Sequence, residues 1–466
     1  MKKQLLFIFA MCIPFCFIAQ VSFAPKVSIN TSTGAQPYAI ASGLIDDDAF
    51  EDIVLGTLNG NTLEWYKNNG DGTFTIQPLI TNTLSSITSV QLYDVNNDGF
   101  IDVVANGFSS NNVAWFANDG NGNFGGQQIL ASGVSGAADF IFADVNNDGN
   151  VDLVIAAYSA NSVFWYEGDG TGNFGSANLI DNSITNPGSM SVSDIDGDGD
   201  LDLVVSTGSF TVGVNSIQVY INDLIPSGTT SFLKEANPVT DNKRNFFNCS
   251  FEDVDGDGNF DILATELGAS PGVGKFYWYE FDGTNYIETE FATSIGNPAS
   301  VKMFDLDNDG LKDIILSSGS SGAGNDVVWF KNQGDGSFAA EEVIDNTQSQ
   351  AYVFTVADFD NDGDLDIVSA AFNQNDLNYF ENQLIVLSVD DFNQNKVSFY
   401  PNPVTDYLFI EGISNNETFK LYNQLGQLII QTKIDNLATI NLSTLSPGIY
   451  FVELSGNSKP FKLIKQ

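Results

Sequence analysis

Along most of the chain, short apolar runs alternate with clusters of Gly, Asn and Asp at a steady rhythm. Runs of this length, bounded by turn-forming residues, predict β-strands rather than helices. Within one stretch four of them follow in order, at residues 88–93, 101–106, 113–117 and 124–130. The third run carries a recurring aromatic pair: Trp65-Tyr66, Trp115-Phe116, Trp165-Tyr166, Trp278-Tyr279 and Trp329-Phe330, weakening to Val219-Tyr220 and Tyr379-Phe380. A Gly-rich turn and a phenylalanine usually follow, as at Gly70, Gly72 and Phe74, and Phe23 supplies the equivalent phenylalanine of the first unit.

Between the first and second runs of each unit lies an acidic nonapeptide. Its first position is Asp94, Asp144, Asp194, Asp253, Asp305 and Asp358, and its third is Asn96, Asn146, Asp196, Asp255, Asp307 and Asp360. The fifth is Asp98, Asp148, Asp198, Asp257, Asp309 and Asp362, and the ninth is Asp102, Asp152, Asp202, Asp261, Asp313 and Asp366. A degenerate seventh copy at residues 44–52 keeps Asp46, Asp48 and Asp52 but has Leu44 first and Ala49 where glycine belongs. Start-to-start spacings of 50, 50, 50, 59, 52 and 53 mark one supersecondary unit repeated seven times. About 50 residues with four antiparallel strands is the size of one propeller blade. The expected fold is all-β: a seven-bladed β-propeller over residues 20–383, a linker at 384–396 and a small C-terminal β-sandwich at 397–466.

Oxygens at positions 1, 3, 5 and 9 of a tight loop converge on one point, which suits a hard cation taking roughly six to eight oxygen ligands. Ca²⁺ is the expected occupant, in about six structural sites. Glycine at position 6 permits the turn, and the variable seventh position offers only its backbone carbonyl. Without a cation, so many clustered carboxylates repel one another. The first unit's loop, lacking a carboxylate at position 1, is expected to be weak or empty.

Charge sharpens the picture. Against 59 acidic residues stand 17 basic ones, for a net charge of −42, so a nucleic acid is not an expected partner. The chain has no histidine, and Arg244 is its one arginine, which removes imidazole catalysis and most clamping of phosphates. No catalytic residue is assigned. Residues 1–19, with Lys2, Lys3 and an apolar run, read as a secretory leader removed after Ala19; no later stretch is long and apolar enough to span a membrane. Of three cysteines only Cys249 would remain, at a position that is apolar in the other units, so it is expected in the core. The tryptophans, recurring in five units, are expected to pack between blades.

With Phe124-Gly125, Phe174-Gly175 and the acidic loops in register, residues 20–383 resemble the FG-GAP/VCBS repeats of integrin-α-type seven-bladed propellers, a likeness that implies the fold and its calcium loops. After residue 396 the charge changes: residues 397–466 carry five lysines and five acids. Phe399-Tyr400-Pro401-Asn402-Pro403, Lys420-Leu421-Tyr422-Asn423, Gly426-Gln427, Leu445-Ser446-Pro447-Gly448-Ile449-Tyr450 and Lys462-Leu463-Ile464-Lys465 resemble a type IX secretion C-terminal sorting domain. That resemblance implies export by the secretion machinery, removal of the domain by a sortase-like peptidase, and a secreted or surface-attached body.

Connections between the second and third runs are longer in units four, five and six (residues 206–215, 265–274 and 317–325) and fall on the face opposite the acidic loops. Such departures from a repeat are where a specific contact is built. Lys243-Arg244 beside them could grip an acidic sugar or offset local charge. The function read from the sequence is a binding or adhesion module for a glycan or a surface protein. A polysaccharide lyase or hydrolase on the propeller, and a passive envelope component, stand as alternatives.

Overall fold

The computed structural model describes residues 21–209, 215–243, 245–268, 274–321, 324–384, 398–411, 417–423, 427–434, 438–454 and 461–466. The leader, Arg244, the linker from residue 385 and parts of the three longer connections (210–214, 269–273 and 322–323) lie outside the described residues. The chain divides into two compact units, Met1–Val386 and Leu387–Gln466.

Seven antiparallel sheets make up the first unit among the described residues. Their innermost strands are Pro37–Gly43, Val90–Tyr93, Ala137–Ala143, Pro187–Ser193, Phe246–Glu252, Pro298–Phe304 and Val353–Ala357. Each innermost strand packs on that of the next sheet, in blades two and three through Gln91 on the Phe140 carbonyl and Tyr93 stacked on Phe142, and the seventh packs on the first, so the ring closes. The sheets are therefore the blades of a propeller, numbered one to seven in chain order.

The second strands start on the ninth position of the acidic loop: Asp52–Thr57, Asp102–Gly107, Asp152–Ala157, Asp202–Thr207, Asp261–Glu266, Asp313–Ser318 and Asp366–Ala371. All of their residues are buried, because a middle strand is covered by a blade on either side. Seven apolar clusters fill the gaps between neighbouring blades. Trp65, Trp115, Trp165, Trp278 and Trp329 all belong to these clusters, as their recurrence predicts. Cys249 sits in the cluster between blades four and five, 1% exposed, and its Sγ donates to the Ser189 carbonyl at 3.3 Å.

Three details depart from the sequence reading. In blade two the outer strand is Gln128–Ser132, not 124–130; Phe124 makes an isolated bridge to Asn118 and packs its ring edge-on against Trp65. Blade four gains a fifth strand, Thr240–Lys243, which pairs with Asn215–Asn222 and accounts for the enlarged repeat there. Phe23 does not serve the first blade: it bridges Asn382, and the following strand Val27–Asn30 pairs with Asp376–Phe380 to complete blade seven. The beginning of the propeller thus supplies the outer edge of its last sheet.

The second unit holds a three-stranded sheet (Ser398–Tyr400, Tyr407–Glu411, Ala438–Asn441) and a four-stranded one (Leu428–Ile434, Glu417–Asn423, Gly448–Leu454, Phe461–Lys465). Residues of both, including Leu408, Ile410, Phe419, Leu421 and Val452, form one core.

Candidate functional site: acidic loops and an axial pocket

The acidic loops fold as a series of turns that aim carboxylates inward. In blade two, Oδ1 of Asp94 accepts the Asp98 N–H at 3.0 Å and Oδ2 accepts that of Gly99 at 2.8 Å. Oδ1 of Asp98 accepts the Phe100 N–H at 3.0 Å. Gly99, Gly149, Gly258, Gly310 and Gly363 hold position 6 at φ between 91° and 99°, the left-handed region where a side chain is strained.

Position 9 has a second task that the ligand reading did not anticipate. Asp102 Oδ2 accepts the Val95 N–H at 3.1 Å, and its Oδ1 accepts the Asn118 N–H at 2.8 Å, at the end of the third strand. The same pair of bonds recurs at Asp152, Asp202, Asp261, Asp313 and Asp366. Each of these buried aspartates staples loop, second strand and third strand together. Burial pushes the carboxyls up, to about 6 at Asp102, Asp152 and Asp261, about 7 at Asp52, Asp202 and Asp313, and about 8 at Asp366, against the hydrogen bonds that favour their charged forms.

The loops bring carboxylates together in threes. Asp194, Asp196 and Asp202, then Asp305, Asp307 and Asp313, then Asp358, Asp360 and Asp366 each offer oxygens within 4.8 Å of one another, using positions 1, 3 and 9. Blade five uses positions 1, 3 and 5: Asp253, Asp255 and Asp257. In blades two and three position 3 is an asparagine, whose amide donates to Asp98 and Asp148 at 2.9 and 3.2 Å. The donor sets are oxygen only, which fits a hard cation and not a soft one. Blade seven is the most demanding. Among the described residues Oδ1 of Asp360 and Oδ1 of Asp364 are buried without a hydrogen-bond partner. Burial, reinforced by neighbouring aspartates, pushes these carboxyls up to about 6 and about 7. Asp364 stands at the variable seventh position and adds a carboxylate beyond the four expected.

A second feature escaped the sequence reading. On the face opposite the acidic loops, a pocket of about 590 Å³ opens at the axis, between the starts of the innermost strands and the residues that follow the second strands. Tyr38, Phe247 and Tyr352, at equivalent positions of blades one, five and seven, meet there: their ring centroids are 5.6, 5.5 and 5.3 Å apart. The equivalent residues of blades two, three and four are Thr88, Ala138 and Gly188, and the cavity lies beside these small side chains. Phe108 and Tyr158, 5.8 Å apart, wall it. Among the described residues two charged groups face it. Asp139 accepts hydrogen bonds from Ser89 at 2.9 Å and from the Met190 N–H at 3.1 Å, and burial pushes its carboxyl up to about 6. Lys302, half-buried, lies 5.6 Å from the Phe354 ring centroid; burial pulls its ammonium down to about 8. The alternation of bulky and small residues at one repeat position was the available signal, visible only after alignment of all seven units.

Comparison with known proteins places both units. The chain matches an FG-GAP-like repeat at residues 45–105, 94–155, 144–205, 253–316 and 305–369, together more than half its length. Residues 398–466 match a secretion system C-terminal sorting domain. No curated protein matches the chain. Among solved structures it is similar to virginiamycin B lyase from Staphylococcus aureus, at 13% identity and a TM-score of 0.50 over 78% of this chain and 99% of that one. An Agrocybe aegerita lectin specific for non-reducing terminal N-acetylglucosamine aligns at 16% identity and TM-score 0.43, over 78% and 93% of the two chains. The Dos1 propeller aligns at 12% identity and TM-score 0.45, over 77% and 95%. Likeness at these identities speaks to the fold alone.

Proposed function

The chain belongs to the FG-GAP-like repeat family and ends in a sorting domain that marks it for export to the cell surface or beyond, and from that premise we propose that it is a calcium-stabilised binding module whose ligand is a glycan held in the axial pocket. The observation that carries the reading is the pocket's composition. Aromatic faces at Phe108 and Tyr158 suit the apolar faces of sugar rings, and the carboxylate of Asp139 suits their hydroxyls. A carboxylate or sulfate on the sugar would meet Lys302, which makes no ion pair among the described residues. Calcium suits the oxygen-only loops on the other face, which act as scaffold because they repeat around the ring. Among the described residues no helix is long and apolar enough to cross a membrane.

A glycan array probed with the mature chain in calcium tests the reading. Binding of a restricted set of glycans, lost at least tenfold in Tyr158→Ala and Phe108→Ala with unchanged melting temperature, is the expected result. Binding indifferent to both variants, or no binding to any glycan, overturns it. The enzymatic alternative draws on the same pocket, since Asp139 and Lys302 are both displaced toward neutrality. Shortened or unsaturated products in the same wells would favour it.

A further inference from the structure

We propose that two of the seven loops carry their own cation: the ammonium of Lys67 in blade one and that of Lys331 in blade six stand where the other loops would take a divalent ion, so the ring binds five ions rather than six. The inference rests on the calcium reading above.

Both lysines occupy the same place in the repeat, directly after the aromatic pairs Trp65-Tyr66 and Trp329-Phe330. The staple on position 9 fixes that place. Asp52 Oδ1 accepts the Asn68 N–H and Asp313 Oδ1 accepts the Asn332 N–H, each at 2.8 Å, so the residue just before is held at the mouth of the loop. From there Lys67 Nζ reaches Asp46 and, at 2.8 Å, Asp48. Lys331 Nζ reaches Asp307 and, at 2.6 Å, Asp309. In each loop these are positions 3 and 5.

The other five blades have no cation at this place. They carry Ala117, Glu167, Ile221, Glu280 and Glu381. Three of these are carboxylates, which add to the negative charge near a loop instead of neutralising it. The two lysine loops also differ from each other. Blade one has lost its first ligand, with Leu44 in place of aspartate, whereas blade six keeps Asp305, Asp307, Asp309 and Asp313. Sequence alone therefore counts the sixth loop as complete. An ammonium hydrogen-bonded to two of its carboxylates occupies their lone pairs and repels a second positive charge a few ångströms away. Blades six and one flank blade seven, the sheet assembled from both ends of the propeller chain. The ring's closing junction is thereby bordered by two loops that need no metal.

The test counts bound calcium per chain, by mass spectrometry of the native mature protein and by equilibrium dialysis. The wild type is expected to hold five ions, Lys331→Gln six, and Lys67→Gln still five, because loop one lacks its first carboxylate. In excess chelator both variants should melt below the wild type. Added calcium should restore Lys331→Gln but not Lys67→Gln. Six ions in the wild type, or no gain in Lys331→Gln, overturns the inference and leaves the calcium reading intact. No bound calcium at all removes that reading and this inference with it. Should a variant fail to fold, the wild-type count of five against six still decides.

Discussion

Asn118 shows how much of this fold depends on single polar side chains. Only 3% exposed at the end of its third strand, it donates from Nδ2 to the Ile101 carbonyl at 2.9 Å and, across the blade boundary, to the Ile45 carbonyl at 2.5 Å. Asn222, Asn382 and Asn68 make the same reach, to the carbonyls of Val145, Leu306 and Phe359, so the clasp runs from blade to blade and across the closing junction. Asn118→Ala would leave buried carbonyls unpartnered, at a cost of about 1–3 kcal/mol for such a loss. Urea unfolding should register that drop, while Asn121→Ala, on the exposed turn nearby, should stay within about 0.5 kcal/mol of wild type. The clasp was not legible in the sequence. Asn68 and Asn118 precede glycine-rich turns and read as ordinary turn residues, because the partner carbonyl lies in the neighbouring blade. The lysines hid in the same way: Lys67 and Lys331 look like solvated strand ends until the strand end is seen beside the acidic loop.

The acidic loop is the element whose behaviour depends on pH. Its recurrence, its glycine and its oxygen donors were all legible, since they follow from local spacing. What spacing could not convey is that position 9 is buried under the next strand end and doubles as a staple. That burial decides the pH response. The carboxyls at Asp102, Asp202 and Asp366 lie at about 6, 7 and 8 in the fold, above the value of about 3.9 expected in an unfolded chain. A carboxyl raised in this way favours the fold while protonated. Without calcium, stability is thus fullest near pH 4 and declines as pH climbs through 6 to 8. On the proposed calcium reading the trend reverses when the ion is supplied, since it needs its ligands deprotonated and would bind the folded loop alone. The gap in melting temperature between calcium and chelator should therefore be small at pH 5 and widest at pH 8. A chelated protein that melts higher at pH 8 than at pH 5 would contradict this account.

At the scale of the whole molecule the ring is closed by a strand from the start of the propeller, Val27–Asn30. The number of units was legible from seven spaced loops, but which sheet receives the N-terminal segment was not, because outer strands are short and weakly patterned. The segment's attachments explain the outcome. Val27–Asn30 pairs with blade seven, while Asn30 Nδ2 donates to the Tyr66 hydroxyl of blade one at 3.0 Å. Gln36 N–H donates to Asn375 Oδ1 at 2.8 Å, and Ser42 and Thr355 share a hydroxyl hydrogen bond at 2.8 Å. The Asn68 clasp to the Phe359 carbonyl and a shared core of Ile53, Leu55, Tyr66, Phe359, Val368 and Tyr379 complete the junction. Closure through a strand from the opposite chain end converts a stack with two free faces into a ring in which every blade has two neighbours, so unfolding cannot start at an end. A chain lacking residues 1–31 loses the outer strand of blade seven and its tie to blade one. Blade seven should then open first: hydrogen exchange in Asp376–Phe380 should accelerate at least a hundredfold while Asp152–Ala157, diametrically distant in the ring order, stays protected. Equal acceleration in both strands would mean that the ring melts as one unit and that the N-terminal strand is not its seam.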